Sequence, residues 1–76
     1  MEIKAFLENL AGVLDVEPGT ITTEFKLRDG TWDSVAMLSA IALIDEHYGV
    51  TLSADQLRLC ETPGDLIELI KKELPA

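Results

Sequence analysis

The side chains that could do chemistry are few: Ser34 beside Asp33, the single histidine His47, the single cysteine Cys60, and carboxylates including Asp45, Glu46, Asp55 and Glu61. Asp33-Ser34 follows Arg28-Asp29-Gly30-Thr31-Trp32 and precedes the apolar run Val35-Ala36-Met37-Leu38. If that run is a helix, Asp33 is a good N-cap and Ser34 falls in the first turn. Free backbone N–H groups and the positive dipole end favour an anion there. A phosphodiester on the Ser34 hydroxyl would suit such a position. Capping explains the same pair with nothing attached, so the pair alone leaves both readings open.

Catalysis within the chain finds no constellation. His47 lies thirteen residues beyond Ser34 on the same expected helix, roughly 20 Å at about 1.5 Å per residue, too far for a Ser-His-Asp arrangement. It reads as a surface residue near the helix C-terminus, where the dipole tolerates a cation. Cys60, in a short connection before Glu61, reads as a small buried apolar side chain. The spacing of Asp45, Glu46, Asp55 and Glu61 lacks the alternating oxygen ligands of a calcium loop, so no metal is expected. Asp45 and Glu46 serve better as a negative surface. The expectation is a protein without catalytic activity of its own.

The elements that must position these residues follow from periodicity. Ile3, Phe6, Leu7, Leu10, Val13 and Leu14 form the stripe of an amphipathic first helix over Glu2 to Leu14, stopped near Asp15-Val16-Glu17-Pro18-Gly19. A connection of about eighteen residues then precedes Ser34, long for a small domain. Val16, Ile21, Phe25 and Leu27 are spread along it, which predicts a loop pinned to the core. A strand over Thr20 to Phe25 is conceivable but has no nearby pairing partner. Helix two runs from Ser34 to His47 or Tyr48, with Gly49 as its stop. Met37, Ile41, Ile44 and Tyr48 face the core, while Val35, Leu38 and Ala42 make a second stripe beginning beside Ser34. Ser53-Ala54-Asp55-Gln56 is a capping box for a short helix to about Leu59. Thr62-Pro63-Gly64-Asp65 opens the last helix, with Leu66, Ile67, Leu69, Ile70 and Leu74 buried and Lys71 and Lys72 near its end. The class is all-α: a four-helix bundle of three longer helices and a short third, with a long loop between helices one and two.

At 76 residues the chain has the size of one small domain, spanning 1–76, with little room for a deep cleft. Apolar residues make up 47%, too many for a disordered acidic segment. The net charge of −8 repels phosphate backbones and anionic membranes, which argues against nucleic acid and favours basic protein partners. The lone cysteine excludes an internal disulfide. No apolar run reaches the roughly 20 residues of a membrane span and no leader is evident, so a cytoplasmic protein without membrane insertion is expected.

The segment from Leu27 to Leu38, the long loop before it, the exit Tyr48-Gly49-Val50-Thr51-Leu52 and the opening Thr62-Pro63-Gly64-Asp65-Leu66 together resemble the acyl carrier protein family over essentially the whole chain. The resemblance implies that Ser34 carries 4′-phosphopantetheine, added from coenzyme A by a separate magnesium-using phosphopantetheinyl transferase, with Asp33 as helix cap and recognition residue. The thiol of that arm holds an acyl group as a thioester and presents it to acyl-loading and acyl-transfer or condensing enzymes. Their basic docking surfaces would meet Val35, Leu38, Ala42, Asp45 and Glu46, and the carrier would act as a monomer.

Three departures qualify the likeness. Gly30-Thr31-Trp32 is one residue longer than the family's usual approach to Asp-Ser, and Trp32 reads chiefly as a cover for the loop, with a partner footprint as the alternative. Ala36 and Ser39 stand where fatty-acid-synthesis carriers have acids, which points to a dedicated fatty-acid, lipid or secondary-metabolite pathway. Ala36, Ala40 and Ala42 could let the bundle open for an acyl chain or simply allow close packing, and packing is the simpler reading. The competing functions are an aminoacyl or peptidyl carrier of the D-alanyl type and a non-carrier helical interaction domain.

Overall fold

The computed structural model describes residues 2–27 and 32–74, and its helices are α1 (Ile3–Leu14), α2 (Ser34–Tyr48), α3 (Ala54–Arg58) and α4 (Pro63–Glu73), with a 3-10 turn at Pro18–Thr20. The expected three longer helices and one short helix are all present, and no strand occurs among the described residues.

Each boundary has a local cause. The Glu2 carboxylate accepts the N–H of Lys4 at the start of α1. That helix ends at Asp15, which takes the left-handed conformation at φ 58°, while the N–H of Val16 donates to Ala11 O at 3.0 Å. The stop therefore falls on the first residue of the expected breaker segment, before Pro18-Gly19. Asp tolerates this backbone better than most side chains. Gly49 ends α2 at φ 67° and donates its N–H to Asp45 O at 2.9 Å, a conformation that costs glycine little. Both expected capping boxes are formed: Ser53 with Gln56, and Thr62 with Asp65. Asp65 goes further, its Oδ2 accepting from Glu61 N at 2.9 Å and Thr62 N at 3.2 Å.

The core takes Phe6, Leu10, Ala11 and Leu14 from α1, Ala36, Met37, Ala40 and Ile44 from α2, Leu57 from α3, and Leu66, Ile67 and Ile70 from α4. α2 packs against both α1 and α3. Tyr48 closes one end of it, its ring tilted 58° against Phe6 with centroids 6.0 Å apart, within the range that favours aromatic pairs.

The long loop is pinned as expected. Ile21 and Leu27 are buried, and Val16 and Phe25 pack half-buried against the core. The conceivable strand from Thr20 to Phe25 is absent: a 3-10 turn is followed by a tight turn in which Phe25 N donates to Thr22 O. The loop's backbone finds its partners at the α3–α4 connection instead. Leu27 N donates to Glu61 O and Gly64 N donates to Thr23 O, both at 2.9 Å. A Cβ at Gly64 would come within 3.0 Å of that Thr23 oxygen, so a glycine permits this close approach.

Candidate functional site at the start of α2

Ser34 is the first residue of α2 and its side chain is exposed. Asp33 precedes it in extended conformation, and its Oδ1 accepts the N–H of Ala36 at 2.8 Å while its carbonyl accepts Met37 N at 2.9 Å. The cap thus serves the third and fourth amides from Ser34. The N–H groups of Ser34 and Val35 have no acceptor among the described residues, as the geometry of a helix start requires. An anion attached through Ser34 Oγ would meet those amides and the dipole's positive end, a preference of about 0.3–1 kcal/mol at an exposed helix terminus. The residues therefore fit a phosphate-linked group.

Trp32 fixes the approach to this site. It is half-buried against the core, and its Nε1 donates to Leu57 O of α3 at 2.9 Å. The indole thus ties the chain two residues before Ser34 to α3, in keeping with a covering role. Replacing Trp32 by Phe removes this hydrogen bond, while Leu57 O keeps the one from Cys60 N at 3.1 Å, and is expected to cost about 1 kcal/mol, read as a lower urea midpoint followed by circular dichroism. Residues Arg28, Asp29, Gly30 and Thr31, where the approach reads as one residue longer, lie outside the described residues.

Along α2, Val35 and Leu38 are 72% and 64% exposed, and Ala42 is exposed on the same stripe. Asp45 and Glu46 are exposed at the far end. Of the two uncharged positions singled out in α2, Ala36 is buried in the core and Ser39 is exposed. Ala36 and Ala40 pack into the core, but the exposure of Ala42 removes it from the small-residue contact with which it was grouped. His47 is exposed near the C-terminus of α2, far along the helix from Ser34.

Two exposed apolar residues escaped the sequence reading: Ile3, placed on the apolar stripe of α1, is 38% exposed at the start of that helix, and the other is Leu59. Leu59, just past α3, is 80% exposed. For Leu59 the signal was available: Leu57 and Cys60, three apart, share the buried face of a short helical stretch, and the two residues between them, Arg58 and Leu59, then point elsewhere. Leu59 borders a groove of about 270 Å³ between α3 and α4 that is also lined by Gln56, Cys60, Asp65, Glu68, Leu69 and Lys72. A second groove of similar size lies against Lys4, Leu7, Glu8, Pro18, Gly19 and Ile21. Neither includes Ser34.

Cys60 is 3% exposed. Burial, helped by the nearby Asp65 carboxylate, pushes its thiol up to about 11 from an ordinary 9.0, which leaves it a poor nucleophile at neutral pH. The folded state holds this proton more tightly than the unfolded chain, so the associated stability is fully present below about pH 9 and is lost between about pH 9 and 11. Tyr48, its hydroxyl also raised by burial and by Glu2, acts in the same direction. Thermal melts at rising pH should show this alkaline loss, and a Cys60→Ala variant should show less of it.

Comparison with known proteins agrees with this geometry. A family model described as the phosphopantetheine attachment site matches residues 4–70. Among curated proteins, "Acyl carrier protein MbtL" of Mycolicibacterium paratuberculosis (strain ATCC BAA-968 / K-10) is 39% identical over 61 residues, covering 79% of this chain and 68% of that protein. A protein of the same name from Mycobacterium sp. (strain MCS) is 33% identical over 73 residues, covering 95% of this chain and 82% of its own length.

Proposed function

This chain belongs to the phosphopantetheine-attachment family and is an acyl carrier protein, and from that premise we propose that Ser34 is the residue to which the 4′-phosphopantetheine arm is joined. The observation that carries the proposal is the exposure of Ser34 at the first position of α2, with two amides at the helix start that have no acceptor among the described residues and Asp33 already committed to capping. When bound, the arm supplies a thiol that holds an acyl group as a thioester.

The chain's own residues do the holding and presenting. Ser34 Oγ gives up its proton and forms the bond to phosphorus, while the adenosine-phosphate half of coenzyme A leaves. His47, the only histidine, lies at the other end of α2, and the Asp33 carboxylate caps the helix through its Oδ1. We assign the transfer to a separate transferase and read the chain as a carrier without catalytic activity of its own. Trp32 holds the site in register with α3, and the helix dipole steadies the anionic linkage.

Partners approach along α2, over Val35, Leu38 and Ala42, with Asp45 and Glu46 meeting basic groups on the acyl-loading and acyl-transfer or condensing enzymes. The tether raises the acyl group's local concentration at each enzyme without tight docking. The protein acts as a cytoplasmic monomer, in a dedicated fatty-acid, lipid or secondary-metabolite pathway rather than bulk fatty acid synthesis. What supports that pathway reading is the uncharged middle of α2, with Ser39 exposed there.

Burial of the lone cysteine provides a direct test. The unmodified native chain should react slowly with a thiol reagent at pH 8, because Cys60 is covered. After incubation with coenzyme A, magnesium and a phosphopantetheinyl transferase, then removal of free coenzyme A, it should show one fast-reacting thiol. No gain with several active transferases would contradict the proposal.

A further inference from the structure

An enzyme that acts on Ser34 itself comes close to the outer face of α2, because Ser34 opens that helix and Val35, Leu38 and Ala42 continue the face at helical spacing. From Ser34 to Ile44 this helix has no charged residue, and its exposed positions are Ser34, Val35, Leu38, Ser39 and Ala42. That is unexpected on a chain with fourteen acids and a net charge of −8. The acids return only at Asp45 and Glu46, roughly 16 Å along the axis from Ser34 at about 1.5 Å per residue.

We infer that this face selects partner enzymes whose docking patch is apolar opposite the first three turns of α2, with any cations confined to the patch edge beside Asp45 and Glu46. The inference rests on Ser34 as the attachment residue and deepens it to the chemistry of the partner. A lysine or arginine pressed against Leu38, Ser39 and Ala42 would lose its hydration and find no carboxylate on α2 between Ser34 and Ile44. Such an uncompensated charge is a strong element of discrimination against the wrong partner. An apolar patch covers Val35 and Leu38, which are otherwise left in water, and removes that surface favourably. The overall negative field still speeds encounter with a basic enzyme, but it does not repair the local mismatch.

Two phosphopantetheinyl transferases provide the test, one with a carrier-docking face lined by lysine and arginine and one with an apolar face. With the native chain, kcat/KM is expected to be higher for the apolar-faced enzyme by about tenfold, an easily resolved preference. For that enzyme it should change by less than about threefold between about 50 and about 500 mM NaCl, since apolar contact is not screened. Leu38→Glu and Ser39→Glu, both at exposed positions, should keep the helical circular dichroism and each raise KM for the apolar-faced enzyme. A preference for the basic-faced enzyme, with a rate that falls steeply with salt, overturns the docking inference while leaving Ser34 modified. So does a Ser39→Glu chain that is modified faster than the native one. An unchanged mass with both enzymes overturns the attachment reading, and the docking inference with it.

Discussion

Ser34→Ala is expected to abolish arm attachment and every acyl transfer that depends on it, while the folded protein remains nearly as stable as the native chain. The two halves of that result have separate causes. The N-cap belongs to Asp33, whose Oδ1 accepts from Ala36, and the Ser34 side chain is exposed with no hydrogen bond among the described residues. Removing its hydroxyl leaves both the cap and the core untouched, so the stability change should stay within about 0.5 kcal/mol. For a domain of this size that is a Tm shift of about 2–4 °C. The chemical loss is complete because the oxygen that would bond to phosphorus is gone. Circular dichroism melts alongside a coenzyme A loading assay check both halves. A variant that loads normally, or one that loses loading only because it unfolds, would contradict the assignment.

A large stability effect is expected at Leu27, an anchor of the long loop. Its side chain is fully buried in the core cluster, and its N–H donates to Glu61 O at 2.9 Å. Leu27→Ala removes buried hydrocarbon and leaves a cavity, a change that costs about 2–5 kcal/mol in comparable cores. A chain of this length has a total stability of roughly 4–11 kcal/mol, so the variant should lose a large share of it, with Tm falling by about 10 °C or more. Loading at Ser34 should fall as the folded population falls, because Leu27 helps hold the loop that leads into the site. The exposed neighbour Lys26 provides the control, since Lys26→Ala should stay within about 0.5 kcal/mol. Equal melting of the two variants would show that the loop is not anchored through Leu27.

The pattern of what was readable in advance follows the range of the interactions. The caps at Asp33, Ser53 and Thr62 and the stop at Gly49 depend on residues within one turn, and all were legible from spacing alone. So was the burial of Met37 and Ile44 against the exposure of Val35 and Leu38, because helical periodicity determines both. The loop was legible only in part. Its apolar anchors were evident, but its partners at Glu61 and Gly64 lie far along the chain, and no local signal announces them. The bond from Trp32 to the Leu57 carbonyl is of the same non-local kind. Among the small residues read as close packing, Ala36 and Ala40 are buried but Ala42 is exposed, because alanine is compatible with either face and only packing against neighbouring elements decides which side it takes. The proposed attachment residue combined a local cap with a wider family pattern, and the proposed partner stripe of Val35, Leu38 and Ala42 followed from helical periodicity, to which the structure adds the exposure of Ser39.

The central claim is that one phosphopantetheinyl group is joined to Ser34. Intact mass after incubation with coenzyme A, magnesium and a transferase, followed by peptide mapping of the product, tests it most directly. The account predicts a single added phosphopantetheinyl mass, located on Ser34 and absent from Ser34→Ala. An adduct on another residue, or an unmodified chain after treatment with several transferases active on other carriers, would contradict it.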